Sequence, residues 1–389
     1  MEKQKKIAII LDEMSIGGIP KASITFMNQL LEYYDVTIIL SNNQGELTKC
    51  IPEKVHIKIK PYNGSLFLFK RFLEHRQFLK LLKTGIYYFI YAYITKRWVK
   101  SVALISSKKG IDDQEAFDCA IAYHGMNVAQ LTRTLFEVNA KKKIAWIHGD
   151  HPFTKKHKRD VAKIYIMFDA IFCVSKTTQE KFIKDFPNVS HITNVFYNSF
   201  DVNAIVSKAQ EPVDMISDAN ITKLVTVGRI SQEKGQEMIP KILDKLLSKG
   251  YSICWYVVGD GNDRKRIEEM VEKKNLLDYI YFVGEQDNPY PYILHADIYV
   301  QPSYTEGYGL TILEAAILGK AIVATNVVGA KEHLCQNKEV VLVKSDPEAL
   351  ASGIEKLLIN PEFKSKMEMA LRQRDFSNKE EINKLRVLV

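Results

Sequence analysis

Residues 301–324, QPSYTEGYGLTILEAAILGKAIVA, change character several times over a short span. The apolar triplet Ile298-Tyr299-Val300 before them reads as a strand, and Glu306, Gly307 and Gly309 fall in the loop that follows. An apolar run over 310–318 has helical spacing, Gly319 stops it, and 321–324 is strand-like again. A helix that starts from a glycine loop leaves the N–H groups of its first turn pointing outward, where they attract an anion. Gly307 and Gly309 let that anion approach the main chain. Glu306 and Glu314 are poor phosphate ligands, but charged acceptors suit the hydroxyl groups of a sugar. The plainer alternative is an ordinary strand–loop–helix turn with a solvated Glu306 and a helix-capping carboxylate.

Glu306 and Glu314, separated by seven residues inside PSYTEGYGLTILEAAILGKAIVAT, resemble the donor-site signature of family-4 retaining nucleotide-sugar glycosyltransferases, including those of bacterial cell-surface polysaccharide assembly. Pro302-Ser303, Gly307, Gly309, Ala315 and Gly319 match the surrounding pattern as well. The resemblance implies that Glu306 approaches the transferred sugar and Glu314 holds the ribose hydroxyls. Tyr308 and Leu310 join the donor-binding loop on the same ground. For the whole chain it implies an α/β fold of the GT-B type, two facing Rossmann-like domains with a cleft between them and a C-terminal helix crossing back.

Composition is compatible with that expectation. A chain of 389 residues, 46% hydrophobic and 26% charged, can form two globular domains of ordinary size. The five cysteines are scattered, with no CxxC pair and no histidine cluster at zinc spacing, which fits reduced thiols and predicts no metal site. The N-terminus has only a short apolar run before Asp12 and reads as a first strand rather than a signal peptide. A formal net charge of +8 raises anionic partners: nucleotide, nucleic acid or membrane surface.

In the first half, apolar runs at 6–11, 36–40, 55–59, 117–123, 143–148 and 170–175 alternate with helical patterns at 126–136, 161–168 and 176–186. Alternation of this kind predicts a doubly wound parallel sheet, with ligands beyond the carboxyl ends of the strands. Gly17-Gly18, His124, and His148-Gly149-Asp150 fall at such ends. By resemblance the glycine pair faces donor phosphates and acceptor, and His148 is the acceptor-side histidine. His124 remains an alternative, with Asp150 beside the site. Residues 191–197 look like a hinge strand, and the polar stretch 202–220 reads as a surface connection. The boundaries expected are 1–197, 198–374, and a returning tail at 375–389.

Between 60 and 109 eleven lysines and arginines meet a single acid, Glu74, and aromatics fill the gaps. The longest apolar run there, 85–94, is about half of what a membrane-crossing helix needs. A basic aromatic pair of helices lying on an anionic membrane surface is the expectation, giving a cytoplasmic, peripheral protein. A packed helical face with solvated lysines is the alternative. No recognisable nucleic-acid module accompanies the charge, so nucleic-acid binding is not expected.

The second half begins with a strand at 224–227 and the stretch Gly228-Arg229-Ile230-Ser231-Gln232-Glu233-Lys234-Gly235. This resembles the family's diphosphate-binding pair, with Arg229 forking onto phosphate oxygens and Lys234 acting as a point charge. Gly284, after the strand at 279–283, is by resemblance where the main chain meets the nucleotide base. Cys335-Gln336-Asn337-Lys338 replaces a glycine-bearing turn usual in the family. The reaction expected is transfer of a sugar from a nucleotide diphosphate sugar to a hydroxyl acceptor, with a lipid-linked saccharide as the expected acceptor and with retained configuration. Arg229, Lys234 and a helix N-terminus would stabilise the departing diphosphate without a cofactor or metal, and no D-x-D sequence argues for one. The alternatives are a non-catalytic partner subunit and a nucleotide-sugar epimerase of the same architecture.

Overall fold

The computed structural model describes residues 4–60, 115–149 and 155–389. They form two compact units: Met1–Ser199 with Lys379–Val389, and Phe200–Asn378.

The first unit is built on seven parallel strands: β1 (Lys6–Leu11), β2 (Asp35–Leu40), β3 (His56–Ile59), β4 (Phe117–Ala122), β5 (Ala140–Ile147), β6 (Ala170–Cys173) and β7 (Thr193–Val195). Their order across the sheet is β3-β2-β1-β4-β5-β6-β7. Ile7 sits in register with Val36 on one side and Cys119 on the other. Helices cover both faces, so central strands such as IAIIL and CAIA are buried along their length, which explains apolar runs without alternation. On one face Trp146 packs against Phe26, Phe172 and Phe196 with ring centroids 4.5–5.2 Å apart. On the other, Tyr165 meets Phe182 and Phe186 at 4.9 and 5.0 Å. Truncating a ring such as Trp146 to alanine would cost about 3–5 kcal/mol.

The second unit has six parallel strands: β8 (Thr222–Val227), β9 (Ile253–Val258), β10 (Ile280–Gly284), β11 (Ile298–Gln301), β12 (Ala321–Thr325) and β13 (Val341–Val343), in the order β10-β9-β8-β11-β12-β13. Every residue of β9 is buried, and the Trp255 indole N–H donates to Thr226 Oγ1 at 3.0 Å, satisfying its one polar atom. At the base of the unit, Phe200 N–H donates to the Ser377 carbonyl at 3.2 Å. The segment Lys379–Val389 belongs to the first unit, where the Glu381 carboxylate accepts from Tyr197 N–H at 2.8 Å.

Several elements differ from the sequence reading. Val202–Lys208 is a helix capped by Asp201, whose carboxylate accepts from Ala204 N–H; it buries only Ile205, too little to show a period. The helix expected at 161–168 runs over Lys155–Tyr165, because its opening turns, KKHKRD, contain no apolar residue. β5 starts at Ala140, ahead of the expected 143, with the exposed Lys141-Lys142 in its first turns of pleat. The hinge strand is only Thr193–Val195, after a 3-10 segment at Pro187–Ile192. In the turn without glycine, Asn337 supplies the left-handed position with φ 58°. The basic aromatic stretch beyond Lys60 and Asp150 lie outside the described residues. Among the described residues no helix is long and apolar enough to cross a membrane.

Candidate active site

In the second unit β8 and β11 are neighbours from which the chain winds in opposite directions, and open α/β sheets bind ligands beyond the strand ends at such a point. The two loops leaving these strands carry the candidate residues. After β8 come Gly228, the exposed Arg229 and the 3-10 turn Gln232–Lys234; after β11 comes the Glu306 loop. Lys234 Nζ lies 2.8 Å from Glu306 Oε2, their side chains 23% and 8% exposed. The second carboxylate oxygen, Oε1, accepts from Ser303 Oγ at 2.8 Å and from Gln301 Nε2 at 3.2 Å. Gln301 is itself held, because its Oε1 accepts from Tyr299 OH at 2.5 Å. Tyr299, Gln301 and Ser303 are completely buried, so the carboxylate is fixed from below by a chain of satisfied polar groups.

The loops are locked together through the backbone. Tyr304 and Thr305 N–H both donate to the Glu233 carbonyl, at 2.9 and 3.3 Å. Gly235 has φ +66°, and a Cβ there would stand 2.2 Å from the Pro302 carbonyl oxygen. Glycine is therefore required for Lys234 to reach Glu306. Gly307 lies in the bend after Glu306, and Tyr308 is buried, its ring 4.3 Å from the His333 imidazole. Gly309, with φ +77°, is the N-cap of the helix Leu310–Ile317 and supplies no side-chain cap. The first-turn N–H groups, starting at Leu310, thus have no side-chain cap. One turn on, Glu314 is buried and accepts from Tyr290 OH at 3.2 Å. Burial and this carboxylate push the Tyr290 phenol well above its ordinary pKa, so it stays a donor. Burial likewise pushes the His333 imidazole down to about 4. Gly284 ends β10, and its carbonyl accepts from Gly259 N–H at 2.7 Å.

In the first unit the corresponding strand ends are those of β1 and β4. Gly17 is the extended N-cap and Gly18 the first residue of the helix Gly18–Leu30. Asp12, just after β1, ties this edge together: its carboxylate accepts from Asn127 Nδ2 at 2.5 Å and from Ser41 Oγ at 3.1 Å. Asn127 in turn caps the helix Val128–Phe136. His124 follows β4 and His148 follows β5, and the His148 ring lies 4.7 Å from that of Tyr123. Burial, with His124 nearby, pushes the His148 imidazole down to about 3. Burial also lowers His124, partly offset by the Asp12 charge. Both candidate histidines thus share one strand-end cluster, and His148 is a neutral imidazole at physiological pH.

The model of the family Glycosyl transferases group 1 matches residues 209–374. The second unit is a group 1 glycosyl transferase domain. Among curated relatives, an uncharacterized glycosyltransferase of Methanocaldococcus jannaschii is 25% identical over 219 residues, 53% of this chain and 53% of that protein. The O-antigen biosynthesis glycosyltransferase WclY of Escherichia coli is 27% identical over 175 residues, 42% of this chain and 45% of that protein. The matched stretches span about half the length of these relatives. A solved structure of Anabaena HepE in complex with UDP and glucose superposes with a TM-score of 0.73 at 16% identity, covering 99% of this chain and 100% of that one. The GT-B fold expected from the sequence is the fold of this chain.

The glycosyl transferase domain contains residues that the sequence reading passed over. Gln301 and Ser303 read from the sequence as part of a motif, not as the support of Glu306, and Tyr290 carries no sequence signal of its contact with Glu314. Asp12 and Asn127 in the other unit were also missed. A signal did exist: a glutamine closing a fully apolar strand needs buried partners, and Gln301 is such a residue.

Proposed function

We propose that the chain is a retaining glycosyltransferase that moves a sugar from a nucleotide diphosphate sugar to a hydroxyl acceptor. The observation that carries this reading is the Lys234–Glu306 contact, which joins the loop that carries Arg229 to the loop that leads into the helix end at Gly309. Two cations and outward N–H groups suit a diphosphate whose charge grows as the glycosidic bond breaks. Glu306 suits a sugar hydroxyl, and Glu314, farther along the helix, the ribose. Among the described residues no group of acidic, histidine or cysteine side chains is arranged to hold a metal ion, and the reaction proposed needs none. His148, as a neutral imidazole, can accept or donate a hydrogen bond on the acceptor side without changing charge.

The O-antigen role of one relative supports a saccharide acceptor, and the composition of residues 60–109 supports a lipid-linked one at the inner face of a membrane. The test is incubation with a panel of nucleotide sugars, with and without a lipid-linked saccharide, in chelator. NMR of the product identifies the new linkage. Transfer with the donor's anomeric configuration is expected. Inversion, or activity only with added divalent metal, would reject the mechanism, and no turnover or binding of any nucleotide sugar would reject the function.

A further inference from the structure

Arg229 and Lys234 are not equivalent cations. The Arg229 guanidinium is exposed and has no ion-pair or hydrogen-bond partner among the described residues, whereas Lys234 is paired with Glu306 at 2.8 Å. That pairing is imposed by the backbone, through the Glu233 carbonyl contacts and the close packing of Gly235 on Pro302. An ammonium shared with a carboxylate presents little net charge to a diphosphate. Conversely, Glu306 cannot give up Lys234 without cost. It is nearly buried, and Ser303 and Gln301 both serve Oε1, so loss of the cation would leave Oε2 without its only partner among the described residues.

We propose that Glu306 is a latch on Lys234 that distinguishes a nucleotide sugar from the bare nucleoside diphosphate. This rests on the donor assignment above. A nucleotide sugar brings a hydroxyl that can donate to Oε2 while Lys234 turns to the diphosphate, so both groups stay satisfied. The nucleoside diphosphate left after transfer has no such hydroxyl. Glu306 then reclaims Lys234, the diphosphate keeps mainly Arg229 and the helix end, and the product is held less tightly than the donor. The carboxylate that positions the sugar thereby also promotes product release.

The consequence runs against the usual effect of damaging an active site: Glu306→Gln should bind a nucleoside diphosphate more tightly. The side chain keeps its shape and its acceptor for Ser303 and Gln301, but no longer holds an ammonium. Calorimetric titration with UDP, GDP and ADP, and with their glucose conjugates, would be run on wild type, Glu306→Gln, Lys234→Met and the double variant. For whichever diphosphate binds the wild type, Glu306→Gln should tighten it roughly ten- to a hundredfold, the scale of one recovered charge-assisted contact. Its preference for the nucleotide sugar over the bare diphosphate should collapse. In the Lys234→Met background the same substitution should have little effect, because the two residues act as a pair. Unchanged or weaker diphosphate binding by Glu306→Gln overturns the latch. So does equal tightening with and without Lys234, which would mean simple relief of repulsion between carboxylate and phosphate. Absence of binding by every nucleotide to the wild type would instead overturn the donor assignment itself.

Discussion

Replacing Gly329 by alanine tests how the Gly309 turn is held in place. In an exposed helix interior this exchange normally stabilises by about 1 kcal/mol, because alanine is the better helix former. Gly329 lies in the helix Val328–His333, which is packed against the Tyr308–Gly309 backbone. A Cβ there would be 2.1 Å from the Tyr308 carbonyl oxygen, 2.4 Å from its carbon and 2.7 Å from Gly309 N. These gaps fall short of van der Waals contact by roughly 1 Å or more, and backbone cannot swing aside as a side chain can. Overpacking of this kind costs about 1–3 kcal/mol, and the backbone-on-backbone contact puts it at the upper end. Against the propensity gain, a net loss of about 2 kcal/mol remains, or roughly 4–8 °C in Tm for a unit of this size. Relief of the clash must also displace the Gly309 turn, so nucleoside diphosphate affinity should fall with stability. Thermal and urea unfolding followed by circular dichroism, with a diphosphate titration in parallel, measures both. A Gly329→Ala variant as stable as the wild type, or more so, would refute the close approach on which this reasoning rests.

Arg229→Ala should weaken nucleoside diphosphate binding by about 1.5–3 kcal/mol, and Lys234→Ala by less, since Lys234 is engaged elsewhere; equal losses in calorimetry would contradict the difference between the two cations. Glu314→Gln should mainly raise the donor KM, and Glu306→Gln should mainly lower kcat, because its sugar contact tightens as positive charge develops. Identical kinetic signatures would end that division of roles. The His148 imidazole, held down to about 3, returns to about 6.5 on unfolding. The unfolded chain therefore takes up the proton first, and stability present above pH 6.5 is lost as the pH falls, by about 2 kcal/mol between pH 6.5 and 5. Urea melts across that range should show the slope, and His148→Gln should flatten it. Wild-type protein should sediment with anionic vesicles at low salt and stay in solution with neutral ones; reversing Lys80, Lys83, Lys96, Arg97 and Lys100 to glutamate should abolish the difference.

The parts of this architecture legible in sequence were those with a local signal. Buried parallel strands appear as uninterrupted apolar runs, so β1, β11 and β12 could be placed from the sequence. Glycines at strand ends marked both loops of the site. Elements whose stability comes from the rest of the molecule were harder to see. The helix Val202–Lys208 buries one residue, and Lys155–Tyr165 opens with charged turns. The site was read as two separate motifs, one with Arg229 and Lys234 and one with the glutamates. That Lys234 and Glu306 are partners across 72 residues follows only from β8 lying beside β11. The sheet order that brings them together is a tertiary fact, absent from either motif.

The hydrogen bond from Phe200 N–H to the Ser377 carbonyl means that the glycosyl transferase domain starts and ends at one place. The chain leaves the first unit after Ser199 and rejoins it at Lys379, so the second unit is an insertion in the sequence of the first. A nested module with adjoining ends can be exchanged for a homologous one without stretching the host chain, since the gap it must bridge stays the same. Under the proposed function, donor preference would belong to the inserted unit and acceptor preference to its host, so the two could be inherited separately, with 199/200 and 378/379 as the natural points of recombination.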